Sequence, residues 1–455
     1  MHISRQPAAL AESGVKGLQA IHAPPQRSAL RYLWRRLPLN IRAQILFDVS
    51  RLLAPLPDDA PQGGFPLAIA GMFSTASGIG EGARLAYDAL EAAGMAPAAF
   101  DISGAFGQAE LEAPPRRPVV AGSGGTLVVH HNAPFLPHAL WALGRARIRG
   151  RHIIGYWAWE LPQLPKSWHG GFRYLHEIWV PSTFTRDAVA AATDLPTHVV
   201  PHPMPLMSAT PNMRRRLGLP TDALITLTVF HTGSGFTRKN PLAAVAAFRR
   251  AFGEAKNCVL VVKLVDNGDA RIRRELERAV ADAPNIRVID AALSPADMTG
   301  LIATADIVIS LHRSEGFGLV PAQAMRLGKP VVATGWSGNL DFMSARNSAL
   351  VAYSLVPVQD PDGAFEGDGQ LWAEASIEHA TDWLRLLAAE PELRNRLGAQ
   401  AAKDVGDQLS PKQVARTIAG LIAPESVQLA ASPTIVVDTP LSIDGVSRPQ
   451  ESAQS

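Results

Sequence analysis

Residues 310–341 read SLHRSEGFGLVPAQAMRLGKPVVATGWSGNLD, and this stretch decides the fold class. An apolar strand runs into a loop that carries Glu315 and the triplet Gly316-Phe317-Gly318. A helix and a second apolar strand (330–334) follow. This order places a carboxylate and exposed backbone N–H groups at the carboxyl edge of a parallel sheet. Open α/β sheets bind ligands at that edge, and helix N-termini attract phosphate there.

Length and composition narrow the class of protein. The chain has 455 residues, of which 47% are hydrophobic and 18% are charged, and its net charge is +2. These values are typical of a globular chain with two domains, and they give no general reason to expect nucleic acid as a partner. The single cysteine, Cys258, excludes a disulfide framework, and the sequence has neither an 18-residue apolar run nor a secretory signal. We therefore predict a cytoplasmic protein.

Strand and helix patterns alternate in two successive series, separated by a proline-rich stretch at 201–220. Two such series predict an α/β protein with two doubly wound, Rossmann-like domains that face each other across a cleft. Helical patterns near 370–388 and 411–422 close the fold. We expect an amino-terminal extension, a first domain, a second domain and a disordered tail, at 1–64, 65–205, 206–423 and 424–455.

The extension contains a basic amphipathic segment, 31–53, which reads RYLWRRLPLNIRAQILFDVSRLL. Its apolar residues recur at helical spacing, and Pro38 divides it into two pieces. Basic amphipathic helices can lie on anionic membranes, which would give peripheral contact with the cytoplasmic face of the inner membrane. Packing of these helices on the protein's own surface is the alternative.

Glu315 and its neighbouring glycines have two interpretations. A carboxylate near a helix start could cap that helix, and glycines there could merely shape a turn. However, Gly316 and Gly318 flank an aromatic residue directly before a helix, which lets backbone N–H groups approach a bulky anion. We favour this functional interpretation.

At this point the chain resembles the family 4 retaining glycosyltransferases of the GT-B fold. Their Glu-x7-Glu signature is written around EGFG and is followed by an alanine-rich helix and a GxPVVA strand. Residues 315–319 and 328–333 match it, whereas Gln323 stands in place of the second Glu. The resemblance implies that Glu315 lies beside the donor sugar and that the amide of Gln323 contacts the ribose. It also implies that backbone groups bind phosphate or sugar oxygens at Gly316, Phe317, Gly318 and Leu319.

Arg238 and Lys239 form the second candidate group. They stand directly before Asn240 and Pro241, which we predict to be the N-cap and the first residue of a helix. Two cations are unfavourable there because the helix dipole is already positive, so we expect an anion nearby. A solvated basic pair is the alternative. The resemblance implies that the pair holds the donor diphosphate, and Lys263 is a weaker phosphate candidate.

The loop after the first strand gives a rival hypothesis. Gly78, Gly80 and Ala83 satisfy G-x-G-x-x-A, and Asp101 follows about 20 residues later, so an NAD-dependent oxidoreductase is one alternative. Glycosyltransferases of the GT-B fold place a glycine-rich loop at the same position, where it faces the donor diphosphate and the acceptor. Because the Glu315 motif is also present, we prefer Gly78 and Gly80 as donor contacts.

The strand TLVVHH delivers polar groups to the same predicted sheet edge. Family members commonly carry histidine or asparagine there, near the reacting sugar, so His130 and Asn132 are our candidate catalytic contacts, oriented by Glu160. A core histidine is the alternative for His130. Trp157 and Trp159, in the stretch YWAWELP, are interpreted as packing residues.

One further motif concerns metals. Asp360-Pro361-Asp362 has the Asp-x-Asp form that binds manganese in the other common glycosyltransferase fold. It lies in a loop rich in Gly, Pro and Asp, so we interpret it as a solvated turn. We predict that neither a metal nor another cofactor is required.

The resulting hypothesis is a glycosyltransferase of the hexosyltransferase type. It would move a sugar from a nucleotide diphosphate sugar to a hydroxyl of a glycan or lipid-linked acceptor with retention, in surface polysaccharide or glycolipid synthesis. In the family that it resembles, the leaving phosphate oxygen takes the acceptor proton. Gln323 motivates an alternative, a GT-B-fold binding or scaffold protein with weak or lost activity.

Overall fold

The structure is a computed structural model that describes residues 48–423, apart from 62, 109, 110, 112, 113, 123, 266, 267, 362, 364, 366 and 368. The features discussed below lie in the compact unit that begins at Ser50. Of the predicted amphipathic segment, only 48–53 is described, and it is helical. The predicted tail lies outside the described residues.

Six parallel strands form the first sheet. In chain order they are β1 (Leu67–Gly71), β2 (Ala98–Asp101), β3 (Thr126–His130), β4 (His152–Tyr156), β5 (Glu177–Val180) and β6 (Thr197–Val199). Their order across the sheet is β2-β1-β3-β4-β5-β6. Because this order reverses between β1 and β3, the carboxyl ends of these two strands flank a crevice.

Six parallel strands also form the second sheet: β7 (Leu224–His231), β8 (Cys258–Val265), β9 (Ile286–Asp290), β10 (Ile307–Ser310), β11 (Val331–Thr334) and β12 (Ala349–Val351). Their order across the sheet is β12-β11-β10-β7-β8-β9, which is the Rossmann order. Here the reversal lies between β7 and β10. The prediction of two doubly wound, Rossmann-like sheets is therefore confirmed.

α-Helices of eight or more residues flank the sheets. They are α1 (Gly78–Ala92), α2 (Leu136–Leu143), α3 (Thr183–Ala190), α4 (Pro241–Phe252), α5 (Ala270–Val280), α6 (Pro295–Thr304), α7 (Leu319–Arg326), α8 (Ile377–Ala389), α9 (Pro391–Gln408) and α10 (Pro411–Ile422). Buried apolar clusters cover both faces of each sheet. Such two-sided burial explains why most strands read as continuous apolar runs.

The region after the second sheet differs in part from the prediction. Two antiparallel strands, β13 (Tyr353–Pro357) and β14 (Leu371–Ala375), form a separate hairpin. The start of the predicted helical pattern at 370–388 is thus a strand, and the helix begins only at Ile377. Pairing with β13 overrides the helical pattern, and β14 makes one further backbone bond, in which Ala373 N donates to Arg313 O. The helix α9 is a further element that the sequence pattern did not predict.

The last helix returns to the first sheet. α10 packs on α1, and its apolar residues join the cluster that contains Leu67 and Ile69 of β1. The chain therefore passes between the two sheets twice, after β6 and after α9. The two passages are hydrogen-bonded to each other, because Met204 N donates to Leu409 O at 2.6 Å.

No helix within the described part of the chain is long and apolar enough to cross a membrane. The exact limits assigned to the extension, the two domains and the tail remain predictions.

Candidate active site

The candidate site lies where the strand order of the second sheet reverses. A short helix, Phe236–Lys239, follows β7, and the loop that carries Glu315 follows β10. Because β7 and β10 are neighbours in a parallel sheet, both segments emerge at the same edge. The topology therefore brings Arg238, Lys239 and Glu315 together at the position where such sheets bind ligands.

Glu315 is buried and faces both cations. Lys239 Nζ donates to its Oε1 atom, and Arg238 Nη1 donates to its Oε2 atom at 3.2 Å. Burial alone would raise the pKa of Glu315, but Lys239 and Arg238 outweigh it and lower that pKa to about 2. The carboxylate caps no helix, so the alternative interpretation as a capping acid is wrong.

Arg238 is fixed from several sides. Its side chain is only 3% exposed, and its Nη1 and Nη2 atoms donate to Ser314 O and Ser234 O, each at 2.7 Å. Burial alone would lower the pKa of Arg238, but the nearby carboxylates of Glu160 and Glu315 outweigh burial and raise that pKa. The alternative of a solvated basic pair is wrong, because the anion expected beside these cations is Glu315.

Asn240 is the N-cap residue of α4 and Pro241 its first residue, as predicted, but the side chain of Asn240 does not cap the helix. Asn240 has a left-handed backbone with φ 49°. Its Nδ2 atom instead donates to Glu374 Oε1 at 3.4 Å. The cations thus lie in the last turn of their own helix, Phe236–Lys239, where positive charge is favourable.

Residues at the start of α3, which flanks the first sheet, hold the backbone of the Glu315 loop. Gly316 O accepts bonds from Ser182 Oγ at 2.6 Å and from Thr185 Oγ1 at 3.3 Å. A Cβ atom on Gly316 would lie 2.9 Å from Trp159 O, so the close approach requires glycine. No local pattern in the sequence identifies Ser182 and Thr185 as site residues, because at their own positions they resemble ordinary residues of the start of α3.

Two helix starts lie near each other at the site. α7 begins at Leu319 after Gly318, which has a φ of 99°, and α1 begins at Gly78. A Cβ atom on Gly78 would lie 3.7 Å from Leu319 Cδ1. Gln323, one turn into α7, is half-buried and forms no side-chain hydrogen bond with the described residues. Both helix starts favour a negatively charged ligand.

The glycine loop after β1 is tightly packed. Ser77 caps α1 by accepting a bond from Gly80 N at 3.2 Å, and a Cβ atom on Gly80 would lie 2.6 Å from Met72 O. Asp101, the acid of the oxidoreductase hypothesis, accepts bonds from Ser74 Oγ at 2.5 Å and from Ser103 Oγ at 2.6 Å. In the oxidoreductase hypothesis the Asp101 carboxylate would accept hydrogen bonds from a ribose. Here these two serines already occupy its oxygens.

His130 lies in an aromatic group rather than beside Glu315. Its ring stacks on Tyr156 with centroids 4.1 Å apart, and His202 lies between this pair and Phe317. Burial, together with His202, lowers the pKa of His130 well below its usual value, so the ring is neutral. The core interpretation of His130 therefore describes its position better than a direct contact.

Asn132 and Glu160 follow neighbouring strands but do not contact each other. Asn132 Oδ1 accepts a bond from Ala158 N at 2.8 Å, which fixes the segment after β4. Glu160 was expected to orient His130 and Asn132; instead its carboxylate lies 3.6 Å from Arg238 Nη2. Trp157 and Trp159 are buried packing residues, as predicted.

Two weaker candidates are also located. Asp360 is buried, its Oδ2 atom accepts a bond from Phe365 N at 3.1 Å, and its charge acts on Arg238. Its interpretation as part of a solvated turn is therefore wrong, and Asp362 lies outside the described residues. Lys263 is buried with its Nζ atom on Leu264 O at 2.7 Å, and burial lowers its pKa to about 8.

Comparison with known proteins identifies the class of protein. Residues 185–405 match the family described as "Family 4 Glycosyltransferase in conflict systems". This part of the chain is a family 4 glycosyltransferase domain, so the resemblance seen in the sequence is confirmed. A search of curated proteins gave no match.

Solved structures share the fold at low sequence identity. Anabaena Alr3699/HepE, in complex with UDP and glucose, is 13% identical with a TM-score of 0.58, covering 79% of this chain and 99% of that one. Sucrose-phosphate synthase from Thermosynechococcus elongatus is 16% identical with a TM-score of 0.57, covering 80% and 99%. A glycosyltransferase from Rickettsia africae is 12% identical with a TM-score of 0.56, covering 79% and 99%. These structures show that the fold is GT-B, and the family match over residues 185–405 shows that the protein is a glycosyltransferase.

Proposed function

We propose that this glycosyltransferase moves a hexosyl group from a nucleotide diphosphate sugar to an acceptor hydroxyl with retention of configuration. The observation that carries the proposal is the buried Glu315 carboxylate held by Arg238 and Lys239 at the switch point of the second sheet. An ionised carboxylate suits the hydroxyls of a donor sugar, and two adjacent cations suit a diphosphate.

Arg238 and Lys239 act on the leaving group. Cleavage of the glycosidic bond leaves negative charge on the diphosphate, and two preorganised cations in a buried site stabilise that charge. The leaving phosphate oxygen takes the proton of the acceptor hydroxyl, so no protein base is needed. Neither a metal nor another cofactor enters this proposal.

The loop and the helix starts position the donor. The N–H groups of Gly316, Phe317, Gly318 and Leu319 bind phosphate or sugar oxygens at the start of α7. Gly78 and Gly80 bring the start of α1 to the opposite side of the diphosphate. Gln323, whose amide has no partner among the described residues, contacts the ribose.

His130 and Asn132 belong to the acceptor side of the proposed site. Asn132 holds the segment after β4 through Ala158 N, and His130 supports Tyr156 and His202. We propose that both contribute to the reaction chiefly by shaping the edge of the first sheet that faces the sugar.

UDP sugars are the first donors to test, because the HepE structure contains UDP and glucose. For the acceptor we propose a glycan or lipid-linked glycan of surface polysaccharide or glycolipid synthesis. Such an acceptor fits peripheral contact of segment 31–53 with the inner membrane. Deletion of that segment should then reduce binding to anionic vesicles, and unchanged binding would remove this part of the proposal.

The main test is a thermal-shift panel of nucleotide diphosphates and their sugars, followed by a turnover assay with and without Mn²⁺. A bound donor should raise the unfolding temperature, and nucleoside diphosphate should be released when an acceptor is added. Glu315→Gln should abolish release, whereas Glu374→Gln, whose carboxylate contacts Arg313 and Asn240 rather than Arg238 or Lys239, should not. NMR of the product anomer tests retention. Binding without turnover by any donor would favour the scaffold alternative.

A further inference from the structure

Glu160 lies on the first sheet's side of the candidate site and faces a cation that follows a strand of the second sheet. It follows β4 of the first sheet, and its Oε1 atom lies 3.6 Å from Arg238 Nη2. Its backbone is held as well, because Ser314 Oγ donates to Glu160 O. The side-chain contact with Arg238 and the backbone contact with Ser314 together hold the Glu160 carboxylate beside Arg238, one of the two cations of the proposed donor site.

The Arg238 guanidinium has one edge that is incompletely paired. Nη1 donates to Ser314 O and to Glu315, whereas Nε is buried and has no acceptor among the described residues. Nη2, on the same edge as Nε, donates to Ser234 O and faces Glu160 only at 3.6 Å. Two parallel oxygens, as in a phosphate, would satisfy this edge better than the distant carboxylate does.

The charge balance of the site also indicates that a carboxylate and a diphosphate compete for Arg238. Arg238 and Lys239 face the carboxylates of Glu315 and Glu160, so these four side chains carry no net charge, and Asp360 adds negative charge near Arg238. A diphosphate would bring at least two further negative charges into this buried place. When a diphosphate binds, one carboxylate must therefore move away from the cations or become protonated. Otherwise its charge repels the diphosphate at short range.

Glu160 is the carboxylate that is easier to displace. Glu315 contacts both cations and is 9% exposed, whereas Glu160 has one longer contact and is 23% exposed. Burial raises the pKa of Glu160, and the opposing effect of Arg238 does not cancel it. The charged groups that face it are Arg238, Glu315 and Lys239.

We propose that Glu160 occupies the edge of Arg238 that the donor diphosphate uses, so that the carboxylate and the donor compete for one guanidinium. This inference rests on the proposed function. Glu160 is thus a residue that sets donor affinity: it keeps Arg238 paired while no donor is bound and is displaced when the diphosphate arrives. Removing its charge should strengthen donor binding, which is the reverse of what a donor ligand would show.

The test measures the binding of UDP, ADP and GDP by calorimetry to the full chain and to Glu160→Gln. We expect roughly tenfold tighter binding of the preferred diphosphate by the variant. Glu374→Gln makes the same chemical change at a carboxylate that pairs with Arg313, and it should leave the affinity unchanged. In Arg238→Gln the gain from Glu160→Gln should disappear, which a merely structural role of Glu160 would not produce.

The outcomes separate this inference from the proposed function. If the wild type binds a diphosphate and Glu160→Gln binds it equally or more weakly, the competition is overturned and the proposed function stands. If neither protein binds any diphosphate, both fail. Should Glu160→Gln not fold, Glu160→Asp, whose shorter side chain withdraws the carboxylate from Arg238, should show a smaller gain in the same direction; no gain would overturn the inference.

Discussion

Glu315 Oε2 lies 3.2 Å from Arg238 Nη1, although the two residues are 77 positions apart and follow different strands. The contact exists because β10 crosses over to lie beside β7. The contact joins the two motifs that indicate donor binding, the Glu315 loop and the Arg238-Lys239 pair. The buried negative charge of one motif and the buried positive charge of the other stabilise each other.

Replacing Glu315 should therefore cost stability as well as activity. Glu315→Gln leaves the buried Arg238 and the partly buried Lys239 without their common counter-charge, and breaking a buried ion pair costs about 3–5 kcal/mol. Glu374→Gln, at a more exposed pair with Arg313, should cost less than about 1 kcal/mol. Urea unfolding of both variants measures the difference, and equal losses would contradict the buried network.

The same carboxylate should not limit activity in mild acid. Its folded pKa of about 2 lies below the ordinary value of 4.5, so its stabilising effect is complete above pH 4.5 and is lost only as the pH falls toward 2. A pH–rate profile should show no acidic limb from Glu315 between pH 5 and 7. If an acidic limb does occur there and Glu160→Gln removes it, the titrating group is Glu160.

Acid should instead weaken the fold through buried histidines, of which His131 and His202 are two. Burial lowers the folded pKa of His131 to about 3 and that of His202 to about 4. The unfolded chain binds protons near pH 6.5 that the folded chain does not, so stability falls as the pH drops below 6.5. Each histidine contributes about 1.4 kcal/mol per pH unit in that range.

Urea unfolding at pH 7, 6 and 5 measures this slope. His202→Asn should lower the slope by the contribution of one proton, down to the value set by the remaining groups. An unchanged slope in that variant would show that His202 is not held neutral in the folded chain.

The closest backbone approaches at the loop should tolerate no Cβ atom. In Gly316→Ala the new atom lies 2.9 Å from Trp159 O, and in Gly338→Ala it lies 2.3 Å from Gly316 O. Each overpacked variant should lose about 1–3 kcal/mol of stability and most of its donor affinity. Gly104→Ala, which meets nothing within 4 Å, is the control and should behave like the wild type in thermal unfolding and calorimetry.

Gln323 should be responsible for selectivity toward ribose. If its amide contacts a ribose hydroxyl, the wild type should bind UDP more tightly than 2′-deoxy-UDP, by roughly 1 kcal/mol for one hydrogen bond. Gln323→Ala should remove this preference, and Gln323→Glu should keep it. A preference that survives in Gln323→Ala would assign the ribose contact to another residue.

The sequence was sufficient for features that depend on local pattern. The strand–helix–strand unit around Glu315 and the loop with Arg238 and Lys239 are each encoded within about a dozen residues, where apolar runs and glycines have direct structural meaning. Their meeting followed from the general rule that sites form at the carboxyl edge of a parallel sheet.

Other features depend on contacts that no local pattern encodes. Ser182 binds Gly316 O across 134 positions, and its own surroundings only indicate a helix N-cap. Glu160 faces Arg238 rather than His130 and Asn132 because the segment after β4 packs against the loop that carries Ser314, a contact between the two sheets' sides that no local pattern encodes. The strand β14 was missed for the same reason, since its pairing with β13 overrides a helical pattern.

The bond between Met204 N and Leu409 O places both covalent connections of the two sheets side by side. Arg326 Nε also donates to Met204 O at 3.1 Å, which attaches this point to the end of α7. The two halves also meet at the candidate site, where Ser182 Oγ donates to Gly316 O and Ser314 Oγ donates to Glu160 O. A rotation of the two sheets about Met204 and Leu409 would therefore have to break these contacts, so any opening of the site is coupled to the Glu315 loop.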